Sequence, residues 1–288
     1  MKKTAFGIIA LALLFFAARD GLRFYRAYTA QDATPSPTPV PTPSPSFFAL
    51  RMPEPVENEN ISVSAPQKNA NISLPFTVAG MARVFEATVG ISLKDASDKE
   101  LYRDIATATA PDPGIAGPFT RTITYLFERP ATQEALLEVF WNSPKDGEVL
   151  DLVRVPITLN VAHARDIKIF LSAPPKGGAQ DCDSVLAVGR VIPQGVAPAT
   201  ASMELLMRGT SPKEFDAGYT TAIPSFISMP RIVITQGTAT IDFADDALEV
   251  SGDPCRTKMM RAQIERTFYQ FPNVSGVTIT VAGSALGG

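Results

Sequence analysis

The sequence predicts two folded domains in tandem, an antiparallel β-sandwich over residues 59–162 followed by a small α/β domain over 165–284. Three observations lead there. A chain of 288 residues is long for a single core and comfortable for two domains of about 100 to 120 residues, each with a core of its own. From Asn60 to about Asn160 the apolar residues recur with period two, and from 166 onward strand-like and helix-like stretches alternate. Hydrophobic residues at 45% and charged residues at 19% suit a globular protein, whereas 25 prolines exceed its usual need and must be concentrated somewhere. The net charge is −3, and no Lys/Arg tract supplies the phosphate-neutralising surface of a nucleic-acid binder or a polybasic membrane patch.

Residues 1–30 read as an export segment, either a signal peptide or a retained signal anchor. Lys2 and Lys3 precede an uncharged run from Ala5 to Ala18. As helix that run reaches about 21 Å, short of the roughly 30 Å hydrocarbon layer, which favours a signal-peptide core. A small-x-small cleavage site is poorly placed, since Tyr28 stands at the first small position of Tyr28-Thr29-Ala30, so anchoring stays an equal alternative. No cysteine follows the run for a lipid anchor. Residues 31–58 form a proline-rich stalk. In TPSPTPVPTPSPS, prolines 35, 37, 39, 41, 43 and 45 alternate with small or β-branched residues, which predicts polyproline II reaching about 40 Å. Without flanking basic residues a spacer is the better reading than a ligand for a proline-binding domain.

The sandwich rests on ISVSAP, LPFTVAGMARVF, ATVGISLKD, GPFTRTITYLF, ALLEVFW and LVRVPITLNV, separated by tracts rich in Pro, Gly, Asn and Asp. About seven strands are expected, with a core on Phe76, Val78, Phe85, Val89, Ile91, Phe119, Ile123, Leu137 and Val139, and with Trp141 as a core plug. In the second domain IKIFLS reads as a strand. ATASMELLMRG reads as a helix, with Thr200 as its cap and Gly209 as its stop. PRIVITQ and TATIDF read as a hairpin through Gly237. A second helix carries Met260, Ile264 and Phe268 on one face, and GVTITVAG closes the domain as a strand. The order β-α-β-β-α-β implies a small mixed sheet covered by both helices.

Candidate chemistry is sparse. Cys182 and Cys255 are the only cysteines, and behind an export segment an even pair most often forms a disulfide. The rival is a reactive Cys255 at a helix N-terminus, but no CxxC occurs and the single histidine, His163, sits in the interdomain stretch NVAHARD. Asp242, Asp245 and Asp246 are oxygen-rich but lack a calcium-loop pattern, and no phosphate loop, GxSxG or HExxH is present. No catalytic, metal or cofactor residue is therefore assigned. Asn60, Asn71 and Asn273 head Asn-x-Ser sequons, informative only where exported proteins are glycosylated.

The second domain contains DCDSVLAVGRVIP, MELLMRGTSPKEFDAGYTTAIP, RIVITQGTATIDFADD and CRTKMMRAQIERTFYQFPNVSGVTITVAG. Together these resemble the GerMN domain of sporulation and spore germination over residues 167 to 283. The most specific matches are Leu205, Leu206, Gly209, Pro212, Glu214, Gly218, Thr221, Ile223 and Pro224, in that order. SLPFTVAGMARVFEATVGISLKD, GPFTRTI and LLEVFWNSPKDGE resemble the immunoglobulin-like domain of bacterial spore germination over residues 61 to 159. The resemblance implies an immunoglobulin-like sandwich followed by a GerMN α/β domain, with both cysteines placed where a bridge can form. It also implies extracytoplasmic assembly, because GerMN domains are similar to ring-building modules and have no established catalytic centre. GerMN copies in the spore germination protein are tandem, whereas this chain has one copy beside an Ig-like domain.

The resulting expectation is a non-enzymatic cell-envelope protein outside the cytoplasmic membrane. Its expected partners are envelope proteins or further copies of itself, with membrane contact through the N-terminal segment if uncleaved. An envelope-polymer or small-ligand binder is the alternative, and a hydrolase using Asp242 or Glu214 a third.

Overall fold

The computed structural model describes residues 55–112, 114–174 and 181–286. The export segment and nearly all of the stalk read from the sequence lie outside these residues. Among the described residues no helix is long and apolar enough to cross a membrane.

The first domain is a sandwich of nine strands, two more than the turn spacing predicts. One sheet has the order β1-β2-β4-β7, with β1 at Val56–Glu57, β2 at Ile61–Ala65, β4 at Phe76–Ala82 and β7 at Gly117–Ile123. The other has the order β3-β9-β8-β5-β6, from β3 (Asn71–Ser73), β9 (Val149–Asn160), β8 (Glu134–Asn142), β5 (Thr88–Asp95) and β6 (Glu100–Thr107). Period two does what it should here. Phe76 and Val78 of β4 and Val89, Ile91 and Leu93 of β5 all point inward and are buried. Gly80 in β4 has no alternative, because a Cβ there would overlap the Ser62 carbonyl oxygen and the Phe119 ring.

Two core expectations need correction. Phe85 is 55% exposed, because it lies in the 3-10 turn Phe85–Ala87 and not in a strand. Trp141 is half-buried and packs against the core from its rim. Strict alternation puts Trp141 on the same face as Leu137 and Val139, but the β8/β9 register shifts between Val139 and Trp141. Val139 faces Val153, whereas Trp141 faces Leu150. A bulge of this kind turns the side chain away from the face that alternation assigns it.

The second domain contains the expected β-α-β-β-α-β series, with additions. Strand β10 (Ala164–Ser172) is followed by β11 (Val185–Pro193), then α1 (Pro198–Arg208) and the short α2 (Pro212–Asp216). The hairpin β12 (Arg231–Thr235) and β13 (Thr238–Phe243) precede α3 (Pro254–Phe268), β14 (Gly276–Val281) and β15 (Ser284–Ala285). β10 and β11 form a two-stranded ribbon, and β12-β13-β14-β15 form a separate mixed sheet in which β13 and β14 run parallel. β11 is missed from sequence because Gly189 and Arg190 interrupt its apolar run.

Helix α1 starts one turn earlier than Thr200 would place it. Its N-cap is Ala197 and Pro198 supplies a preset φ at the first helical position, while Gly209, at φ 82°, ends it as expected. Met203, Leu206, Met260, Ile264 and Phe268 are fully buried, as their helical spacing requires. Gln263 is the polar exception. It accepts from the Ala222 N–H (3.0 Å) and donates to Ser172 Oγ (3.1 Å) and the Thr220 carbonyl (3.0 Å), so its burial leaves no group unmatched.

The expectation of two separate cores fails. One cluster of buried apolar residues runs from the sandwich through Leu126, Ile167 and Val191 into the α/β domain, and Pro53–Gly288 forms one compact unit. Only the turn at Val161, Ala162 and His163 separates β9 from β10, and Leu126 and Val191 exchange backbone hydrogen bonds of 2.9 Å in both directions. A sandwich residue thereby pairs with a strand of the second domain.

Candidate functional site

The residues singled out in the sequence for chemistry serve local structure. Cys182 and Cys255 are joined in a disulfide with a Cα–Cα distance of 5.2 Å, and neither thiol is free. Cys255 does sit in the first turn of α3, where Asp253 caps the helix by accepting from Cys255 N (3.0 Å) and Arg256 N (3.2 Å). The bond ties that turn to the chain just before β11. His163 is exposed in its turn, where its carbonyl accepts from Gln194 N at 3.0 Å.

The three aspartates do not converge. Asp242 accepts from Thr280 Oγ1 and from Gly283 N and lies 3.7 Å from Arg231. These donors, Thr280 first, hold its carboxyl below the usual range. Asp246 accepts from Ser228 N at 2.7 Å, while Asp245 is exposed. Among the described residues no three His, Cys, Asp or Glu side chains gather as a metal site. Glu214 is held in a donor set of its own. Asp242 and Glu214 thus belong to different networks.

Glu214 belongs to the seam between the domains. The Arg190 guanidinium, 2% exposed, donates through two nitrogens to the two Glu214 oxygens at 2.7 and 2.8 Å, and also to the carbonyls of Gly189 and Gly209. Its other face lies 5.6 Å from the Phe127 ring of the sandwich. Burial alone would raise the Glu214 carboxyl, but the Arg190 charge and the Ser211 N–H outweigh it and hold it below the usual range. A second cation, Arg208 of α1, stacks over Tyr125 at 5.6 Å and lies 3.6 Å from Asp104. Asp104 also accepts from the Tyr102 hydroxyl (2.8 Å) and from Arg121. Burial pushes the Tyr102 hydroxyl well up and the Tyr125 hydroxyl up, which keeps Tyr102 a neutral donor to Asp104. At this joint Arg190 pairs with Glu214, and Arg121 and Arg208 with Asp104. Only the arginine inside the apolar run VLAVGRVIP signals it in the sequence.

A surface with capacity for a partner is the β12 edge of the sheet β12-β13-β14-β15. β12, with the sequence RIVIT, pairs with β13 from Arg231↔Asp242 to Thr235↔Thr238, and Gln236 and Gly237, both at positive φ, close the hairpin. Among the described residues no strand pairs with its other side. An antiparallel ladder directs every second residue's N–H and C=O outward, so that edge carries unpaired backbone groups. Ile232 and Ile234 face the core. Val233, between them on the opposite face, is 44% exposed, and Phe226 and Met229, just before the strand, are 60% and 43% exposed.

Comparison with known protein families matches residues 60–148 to the immunoglobulin-like domain of bacterial spore germination. Residues 173–287 match the sporulation and spore germination family. Among solved structures, the chain is similar to the tandem GerMN domains of the sporulation protein GerM from Bacillus subtilis, at 18% identity and a TM-score of 0.34. That similarity covers 43% of this chain and 41% of the other. It is also similar to the first GerMN domain of the same protein, at 19% identity and a TM-score of 0.31, over 42% of this chain and 86% of the other. The chain therefore spans about two fifths of the tandem structure. No curated protein sequence matches it.

Proposed function

We propose that a chain joining these two spore-germination domain families is a non-enzymatic assembly protein of the cell envelope, held outside the cytoplasmic membrane, which self-associates through its α/β domain. The observation that carries the reading is the open edge of β12. Two copies related by a two-fold axis through Val233 bring RIVIT against RIVIT antiparallel. Arg231 then falls opposite Thr235 of the second copy, and no like charges meet. Natural edge strands are usually blunted by an inward charge or an internal proline. RIVIT has neither between Ile232 and Thr235, although Pro230 stands just before it. The uncharged run Ala5 to Ala18 and the alternating prolines after it support the envelope location, the first as an export or anchoring segment and the second as a spacer.

The test is the mass of the full chain in a nonionic detergent by light scattering over a concentration series, compared with Val233→Lys. Reversible association in the parent and a strict monomer in the variant are expected, because Val233 is half-exposed and its replacement charges the edge without opening the core. A monomeric parent at every concentration, or equal association in both proteins, rejects the reading.

A further inference from the structure

The sandwich carries a second surface, remote in sequence from β12, that the self-association reading does not use. The 3-10 turn Phe85–Ala87 divides two hollows of about 690 and 340 Å³, and Phe85, Glu86 and Trp141 line both. Both volumes fall within the range of ligand-binding clefts. Phe85 is 55% exposed, and Ile115, at the far wall of the larger hollow, is 49% exposed. Apolar groups this open, lining one hollow with a half-buried tryptophan, mark contact surfaces more often than ordinary exterior.

The backbone around the larger hollow is unusual as well. Glu86 and Ala87 both have φ 53° and Asp151 has φ 49°, left-handed conformations that L side chains seldom adopt. Together with the β8/β9 bulge that re-aims Trp141, this concentrates strained backbone around one hollow, a pattern common at ligand clamps.

Two features define the occupant. Trp141, Asp151, Asn60 and Arg83 of the larger hollow are already engaged with one another. The Trp141 indole N–H donates to Asp151 Oδ2 at 2.7 Å, Asn60 donates to the same oxygen at 3.1 Å, and Arg83 donates to Asn60 Oδ1 at 3.0 and 3.2 Å. That leaves the Glu86 and Asp112 carboxylates, which are acceptors, and few donors of the kind that sugar hydroxyls also need. The electrostatics, in contrast, are one-sided. Glu86, Asp112 and Asp151 line the larger hollow, and Glu57 and Glu59 line a third, adjoining hollow of about 440 Å³. Arg83 is the only base lining these two, while Arg103 lines the 340 Å³ hollow on the other side of the turn. Arg83 is itself drawn to Glu59, 3.7 Å away.

From the apolar walls and the surplus of carboxylates we infer that this hollow docks a peptide segment of another protein that places an apolar side chain beside Phe85 and Trp141 and flanks it with Lys or Arg. The cations meet Glu86 and Asp112 at the rim, where solvent-exposed charge steers encounter more than it adds affinity.

Trp141 is the only tryptophan of the chain, so its fluorescence reports on the two hollows it lines, and Asp112, which lines only the larger one, tells them apart. The experiment titrates the full chain in nonionic detergent with a short peptide alternating Lys and Leu around a central Phe, and separately with the same peptide carrying Glu for Lys and with a chito-oligosaccharide. Expected are a saturable change in Trp141 emission with the basic peptide only, weakening as salt rises, and a loss of at least about tenfold in affinity in Phe85→Ala and in Asp112→Lys. Both positions are exposed, and circular dichroism checks that the variants fold as the parent does. Val233→Lys should bind the peptide unchanged, which separates this inference from self-association at β12. No saturable change, an equal response to the acidic peptide, a response to the oligosaccharide alone, or unaltered binding in both hollow variants overturns the inference.

Discussion

Arg190 is the buried charge at the joint between the domains. Its guanidinium is almost wholly removed from water and is matched by one carboxylate, two carbonyls and the Phe127 ring. Removing one partner of such a pair leaves an uncompensated charge in the interior, which costs far more than an exposed ion pair contributes. Glu214→Ala should therefore lower stability by about 3–5 kcal/mol in a denaturant titration. The pH dependence follows from the same pair. The Glu214 carboxyl is held below its ordinary value in the folded chain, so the unfolded chain binds its proton more readily. Its contribution is complete above the unfolded value, near pH 4.3, and is lost as pH falls through the lower folded value. Stability of the parent should fall across that acid window, with a shallower fall in Glu214→Gln.

At the scale of elements, α3 is held at both ends by different means. Its first turn is fastened by the Cys182–Cys255 bond and capped by Asp253, while Phe268 at the other end is fully buried. The bond spans a sequence separation of 73, and the chain-entropy account assigns such a loop a stabilisation of about 4 kcal/mol. Reduction, or Cys182→Ser with Cys255→Ser, should lower the unfolding midpoint accordingly without altering the secondary structure seen by circular dichroism. An unchanged midpoint would mean that capping and burial alone suffice to hold the helix. The β12–β13 hairpin stands at the other extreme. It is fastened to β14 on one side only, so β12 keeps an edge of backbone groups on its outer side.

Across the whole molecule, the connected core and the Leu126–Val191 backbone pair join the sandwich to the α/β domain. Calorimetry of the chain should show a single transition, with calorimetric and van't Hoff enthalpies in agreement. Two resolved transitions would mean that the seam contributes little.

What the sequence by itself determined is whatever periodicity and local chemistry encode. Alternation at Val89, Ile91 and Leu93 was enough to assign a half-buried strand, and spacing of four at Met260, Ile264 and Phe268 a helix face. The short-range punctuation at Gly209 and Gly237 was legible for the same reason, since a positive φ is a property of one position. The tertiary structure alone decided what depends on distant residues meeting. A one-residue shift opposite Val153 turned Trp141 out of the core, and a 3-10 turn left Phe85 exposed. Arg190 became buried because Glu214 and Phe127 arrive from other segments to match it. Long-range pairing sets register and burial, and no window of neighbouring residues carries that information.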